Sequence, residues 1–208
     1  MFIYILKLIL CAVIGYLLGN IAMGIPVAKL LGNVDIRKTG SNSAGATNVL
    51  RTLGWGPSLL TFLGDALKGV MAVLIGKWIG GVYGGYIGGI FVVLGHNWPA
   101  FYHFKGGKGV ATSFGAVLML NPMIALAMFV FQIIMVAITK YMSVASICSA
   151  TLFIVLNAIT KWGDWAEILF CAALGGLIIY THRMNIKRLL SHSENRLDFG
   201  KINSISKK

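Results

Sequence analysis

Seven apolar runs divide this 208-residue chain, at about residues 2–25, 57–78, 83–98, 110–120, 123–138, 144–159 and 166–180. Roughly 20 such residues cross about 30 Å of hydrocarbon as a helix, whose backbone satisfies its own hydrogen bonds. The pattern predicts an all-α polytopic integral membrane protein, a single membrane-embedded domain over residues 1–208 with seven transmembrane helices. The run at 110–120 is short for a crossing and needs its helix to begin inside the preceding loop, while Asn121-Pro122 separates it from the next run. With 57% hydrophobic residues, 12% charged and a mean hydropathy of +0.81, the composition fits the same class. The first run has one lysine and no small-residue cleavage site, so it reads as a retained span and not as a signal peptide.

Charge orients the layout. Lys and Arg number 18 against 6 Asp and Glu, a net +12. No RNP-like or zinc-finger pattern accompanies this charge, which lies between and after apolar runs, so anionic headgroups suit it and nucleic acid does not. Seven spans place the breaks at 26–51, 99–109 and 139–143 and the C-terminal tail on one side, with most of the basic residues; Lys77 and Lys161 are the chief exceptions. The positive-inside rule makes that side cytoplasmic, with the N-terminus outside and the C-terminus in the cytoplasm. Cys11, Cys148 and Cys171 each lie in an apolar run and read as small buried hydrophobes, with neither a disulfide nor a metal-ligand spacing.

The break at 99–109 ends in Gly106-Gly107-Lys108-Gly109, ahead of Thr112-Ser113 and renewed apolar character. Glycines let a backbone approach a ligand, the ammonium adds a point charge, and a following helix N-terminus favours the same anion. The full Gly-x-x-x-x-Gly-Lys-Ser/Thr pattern is absent. Across the one-sided segments, Ser41, Thr47, Asn48, Arg51, Lys108, Ser143, His182, Arg183 and Asn185 form a set of anion donors with one titratable imidazole. His96 and His103 read as interfacial. Asp65 and Lys68, three apart inside the second run, share a helix face and read either as a packing pair or as a functional one. They also support an alternative reading, a transporter of an organophosphate or anionic lipid, which the one-sided donors and the lack of an inverted repeat oppose. In the tail, a surface helix can begin at Asn185, and Ser204 to Lys208 reads as disordered.

Three separated motifs carry a resemblance: Asp35-Ile36-Arg37-Lys38-Thr39-Gly40-Ser41 through Gly45-Ala46-Thr47-Asn48-Val49-Leu50-Arg51; Gly95-His96-Asn97 through Phe104-Lys105-Gly106-Gly107-Lys108-Gly109-Val110-Ala111-Thr112; and His182-Arg183, Asn185-Ile186 and Arg188-Leu189 followed by Glu194. In order and over nearly the whole length, the chain resembles the bacterial acyl-phosphate:glycerol-3-phosphate acyltransferases. The resemblance implies transfer of a fatty acyl group from acyl phosphate to the 1-hydroxyl of sn-glycerol 3-phosphate, giving 1-acylglycerol 3-phosphate (lysophosphatidic acid) and phosphate. That reaction is the first step of bacterial phospholipid synthesis, on the cytoplasmic side of the inner membrane, without cofactor or metal and in company with an acyl-phosphate-forming enzyme. Carried over by similarity, Ser41, Arg51, Lys108, His182 and Asn185 are the catalytic set, and Thr47, Asn48, Gly106, Gly107, Gly109 and Ser143 bind substrate, while Glu194 braces the tail. The His-x-x-x-x-Asp pattern of thioester-dependent acyltransferases is missing, since Phe101, Lys108, Lys187 and Leu197 follow the four histidines at that spacing. Asn42 and Ser43 stand where the family commonly has Gly and Asn, and His192 stands where it has Gly. Asn adopts the left-handed conformation of Gly, though less readily.

Overall fold

The computed structural model describes residues 1–206, which contain ten α-helices and no strand. The apolar runs become α1 (Phe2–Gly19), α4 (Trp55–Asn97), α5 (Val110–Leu120), α6 (Pro122–Thr139), α7 (Met142–Thr160) and α8 (Trp165–Thr181). Shorter helices are α2 (Gly24–Gly32), α3 (Ala46–Leu53), α9 (Arg183–Leu190) and α10 (Phe199–Ser206). Four helical segments are long and apolar enough to cross a membrane, or five if α8 and α9, bent by 52°, count as one; α5 is shorter. Their apolar side chains face outward, as Leu126, Val130, Ile133 and Ile138 of α6 do, which is the surface of a protein solvated by lipid.

The second and third runs are joined in α4, broken at Gly80 and Gly81, where Gly81 takes φ 65°. The two halves fold back so closely that a Cβ on Gly76 would lie 2.2 Å from the carbonyl oxygen of Gly84. Glycine is what permits that approach. Asn121 caps α6 through Oδ1, which accepts from the Ile124 N–H, and Pro122 opens the helix.

Two parts of the chain differ from the sequence expectation. The first helix stops at Gly19 and not near residue 25, because side chains from α4 take over its peptide groups. Lys68 Nζ donates to the carbonyls of Gly19 (3.2 Å) and Ile21 (2.8 Å), and the Met23 N–H donates to Asp65 Oδ1 at 3.3 Å. Unwound backbone is tolerated at membrane depth only where protein supplies such partners. The tail is helical in α10 through Ser206, since the Trp55 indole stacks on Phe199 (6.4 Å) and donates to Asn203 Oδ1 at 3.0 Å. Lys207 and Lys208 lie outside the described residues.

Candidate active site

A cavity of about 600 Å³ lies among α3 to α8 and the tail. Ser41, Thr47, Arg51, Lys108, His182, Asn185 and Glu194 line its polar part; Phe62, Phe114, Phe129, Val117, Met128 and Leu174 line an apolar part.

The first loop is built around Asn48. Its Oδ1 accepts from the Ser41 N–H at 2.9 Å, and its Nδ2 donates to the carbonyls of Ile36, Thr39 and Ser43 at 2.9 to 3.0 Å. Asn48, read from the sequence as a substrate contact, lines the cavity and also shapes the loop through these bonds, with 1% of it exposed. Ser41 and Thr47 line the cavity beside it. Asn42 takes φ 57°, the left-handed conformation expected of it, and His192 likewise takes φ 54°.

The Gly-Gly-Lys-Gly loop crosses the end of α4. The Gly107 N–H donates to the His96 carbonyl at 3.0 Å, and the Gly106 carbonyl accepts from the Ala44 N–H at 3.1 Å, tying the second loop to the first. Gly106 and Gly107 do not line the cavity, contrary to the substrate-binding expectation; their missing side chains make room for α4. A Cβ would lie 2.0 Å from the His96 carbonyl oxygen at Gly106 and 2.0 Å from His96 Nε2 at Gly107. Gly109, at φ 81°, does line the cavity, with Val110 and Ala111 of the first turn of α5, where helix N–H groups have no internal partner.

Lys108 leads into a chain of side chains. Its Nζ donates to Asn185 Oδ1, and Asn185 Nδ2 donates to Glu194 Oε1 at 2.7 Å. Ser143 Oγ donates to the same Oε1 (3.0 Å), and Arg188 Nε to Oε2 (2.8 Å). Ser143, expected to complete a phosphate site, therefore gives its only proton to Glu194 and acts as a brace. Arg51 donates through Nη2 to the Asn195 carbonyl at 3.0 Å, while its Nε is buried without a partner. Arg183, grouped with the donors in the sequence, lies outside the cavity over the Tyr180 ring at 4.5 Å. His103 is exposed; His96 is not interfacial but 3% exposed, inside the α4 charge cluster. That cluster pairs Asp65 Oδ1 with Lys68 Nζ at 2.8 Å and uses the α1 carbonyls, so packing accounts for the charges that favoured transport.

Arg51, Lys108 and Arg188 surround the one carboxylate of Glu194, a net of two positive charges. Burial pushes Lys108 down to about 8, with Arg188 and Arg51 adding to the fall and Glu194 opposing it. Burial also lowers Arg51. His182 is pushed down to about 4, by burial and then by Lys108. Its Nδ1 lies 2.8 Å from the Ile178 carbonyl, which can only accept, so Nδ1 carries the proton and Nε2 keeps the lone pair. The neutral imidazole is thus an acceptor at neutral pH. A bound phosphate stabilises charged Lys108, so binding takes up a proton once pH exceeds about 8. Inorganic phosphate, titrated calorimetrically, should bind about tenfold more weakly per pH unit above that point. Lys108→Met should remove this dependence.

Two hydroxyls were missed in the sequence reading of the site: Ser113 and Ser149 line the cavity and their Oγ atoms are buried without partners. Ser113 is in the Thr-Ser pair that opens α5, and Ser149 continues the spacing of Ser143 and Ser146 along one face of α7.

Residues 9–192 match the family model described as glycerol-3-phosphate acyltransferase. A glycerol-3-phosphate acyltransferase of Thermoanaerobacter sp. (strain X514) is 46% identical over 189 residues, 91% of this chain and 95% of the relative. Another from Clostridioides difficile (strain 630) is 48% identical over 199 residues, with the same shares covered. Among solved structures, PlsY (YgiH), an integral membrane glycerol 3-phosphate acyltransferase, superposes in its glycerol 3-phosphate form with a TM-score of 0.87 at 37% identity, over 94% of this chain and 98% of that one. Its lysophosphatidic acid form gives 0.84 at the same identity and coverage. With sequence and fold shared over nearly the whole chain, the chain belongs to the glycerol-3-phosphate acyltransferase family, integral membrane acyltransferases of lipid biosynthesis.

Proposed function

We propose that the chain transfers a fatty acyl group from acyl phosphate to the 1-hydroxyl of glycerol 3-phosphate. The observation that carries this reading is one cavity with a net-positive end continuous with an apolar arm. The cationic end suits phosphate, and the arm beside Phe62, Phe114 and Phe129 suits an acyl chain. The relative solved with glycerol 3-phosphate and with lysophosphatidic acid supports the acceptor and the product.

Acyl phosphate is a mixed anhydride and needs no further activation. The glycerol oxygen attacks the acyl carbon, the carbon–oxygen bond to phosphate breaks, and phosphate leaves with the electron pair. Lys108, Arg51 and the N–H groups at the start of α5 stabilise that charge, with Ser41 and Thr47 orienting the remaining oxygens. His182 Nε2 accepts the hydroxyl hydrogen bond and aims the nucleophile; because its pKa is low, the proton ends on phosphate. Asn185 positions Lys108, and Glu194 positions Asn185. The reading includes seven crossings, with α4 as two of them and α5 as one, and a cytoplasmic cavity, supported by the basic bias of the loops that form it.

The test uses purified full-length protein in detergent or lipid mesophase, with acyl phosphate and glycerol 3-phosphate and with acyl-CoA as parallel donor. Equal amounts of phosphate and lysophosphatidic acid from acyl phosphate alone are expected. Folded protein that forms neither would overturn the reading.

A further inference from the structure

The charged cluster behind the α1–α2 break has no part in the chemistry above, yet Asp65 and His96 reach the cavity wall and the cluster abuts the loop that carries Lys108. Asp65, Lys68 and His96 are 1%, 6% and 3% exposed. Lys68 Nζ has four acceptors: His96 Nδ1 at 2.7 Å, Asp65 Oδ1 and the Ile21 carbonyl at 2.8 Å, and the Gly19 carbonyl at 3.2 Å. Nδ1 also lies 3.4 Å from Asp65 Oδ1, but the ammonium is nearer and only donates, so His96 Nδ1 accepts and the imidazole proton sits on Nε2. Nε2 is the atom that a Cβ on Gly107 would strike, and the carbonyl of the same His96 accepts from the Gly107 N–H. Ring and main chain of one residue thus hold Gly107 from two directions, one residue before Lys108.

An ion pair needed only for helix packing would not require the imidazole. Asp65 and the two carbonyls would by themselves match the three ammonium protons, yet the imidazole at 2.7 Å takes one and leaves the Gly19 carbonyl, at 3.2 Å, the most distant partner. The fourth acceptor exceeds what the charge needs; its consequence is on the far side of the ring, where the loop rests.

We propose that Asp65, Lys68 and His96 are a positioning unit for the acyl transfer: the ion pair fixes the His96 ring, and the ring fixes Gly107 and with it Lys108. The proposal deepens the function given above and rests on it for its catalytic meaning. None of the three touches the reacting atoms in this account.

The test is a double-mutant cycle in the full chain, read first by calorimetric affinity for inorganic phosphate, which needs no turnover. Gly107→Ala puts a methyl where the ring stands and should weaken phosphate binding by about tenfold or more. In a His96→Ala background the same methyl has room, so Gly107→Ala should add little; effects that multiply would overturn the proposal. His96→Asn provides a second route, since its amide oxygen can replace Nδ1 toward Lys68 while leaving no ring against Gly107. It should melt near the wild-type temperature yet bind phosphate about tenfold more weakly and raise KM more than it lowers kcat. Wild-type phosphate affinity in folded His96→Asn would also overturn the proposal. If the wild type bound phosphate but formed no lysophosphatidic acid, the transfer reading would fail while the cycle still decided the positioning claim.

Discussion

A Lys108→Ala variant should keep its fold and lose about three orders of magnitude in kcat/KM, in line with the removal of a charged donor from a site of developing negative charge. Lys108 is the cation tied to Asn185 and adjacent to the free N–H groups of α5, so no neighbour can take its place. Arg51 is anchored on Asn195, and Arg188 already serves Glu194. The same substitution should stabilise the empty protein. Burial holds the lysine at about 8, below its unfolded value, so the unfolded chain binds the proton more tightly than the native one. Below about pH 8 the native state therefore carries the full cost of the buried ammonium, and that cost fades as pH rises toward the unfolded pKa near 10. Thermal melts should show Lys108→Ala at or above wild type at pH 7, with the gain gone by about pH 10. Near-normal turnover, or a clear loss of stability at pH 7, would remove Lys108 from this role.

His182→Ala should lower kcat/KM by about 10² to 10³, the range for a positioned proton acceptor. Its pH dependence separates two roles. A general base titrating near neutrality would give an acid limb around pH 6 to 7. With the imidazole protonating only at about 4, kcat/KM should show no limb from this group between pH 5 and 7. His182→Gln, which can place an amide oxygen near the Nε2 position, should recover at least about tenfold over His182→Ala if the role is orientation. A glutamine variant as poor as alanine, together with an acid limb near neutrality, would restore the base.

Hydropathy located the apolar helices well because lipid-facing surface leaves its mark on every turn, as along α6. The stop at Gly19 was not legible, since its cause, Lys68, lies 49 residues away. The order in the tail likewise depends on Trp55, 148 residues from Asn203. At the site, Asn42 in a glycine position was read correctly as left-handed. What each donor bonds to within the protein was not legible. Asn48 and Ser143 turn to Asn- and Glu-centred networks, and Gly106 and Gly107 make room for a helix and not for a ligand. Spacing along a chain reports what a residue can bond to, while the nearest acceptor is decided by packing. Buried His96 shows the same limit from the other side.

The tail described above also sets an order of events during synthesis. Glu194, Leu197 and Phe199 follow the last apolar helix in the chain, and all three line the cavity. Every apolar helix is therefore translated before the carboxylate that aligns Asn185 and Lys108, so the site is completed only after the last of these helices has been made. The end of α10 carries the same dependence: Ser206 Oγ accepts the Trp55 N–H at 3.1 Å, so strain applied at this helix end reaches a residue of the cavity wall.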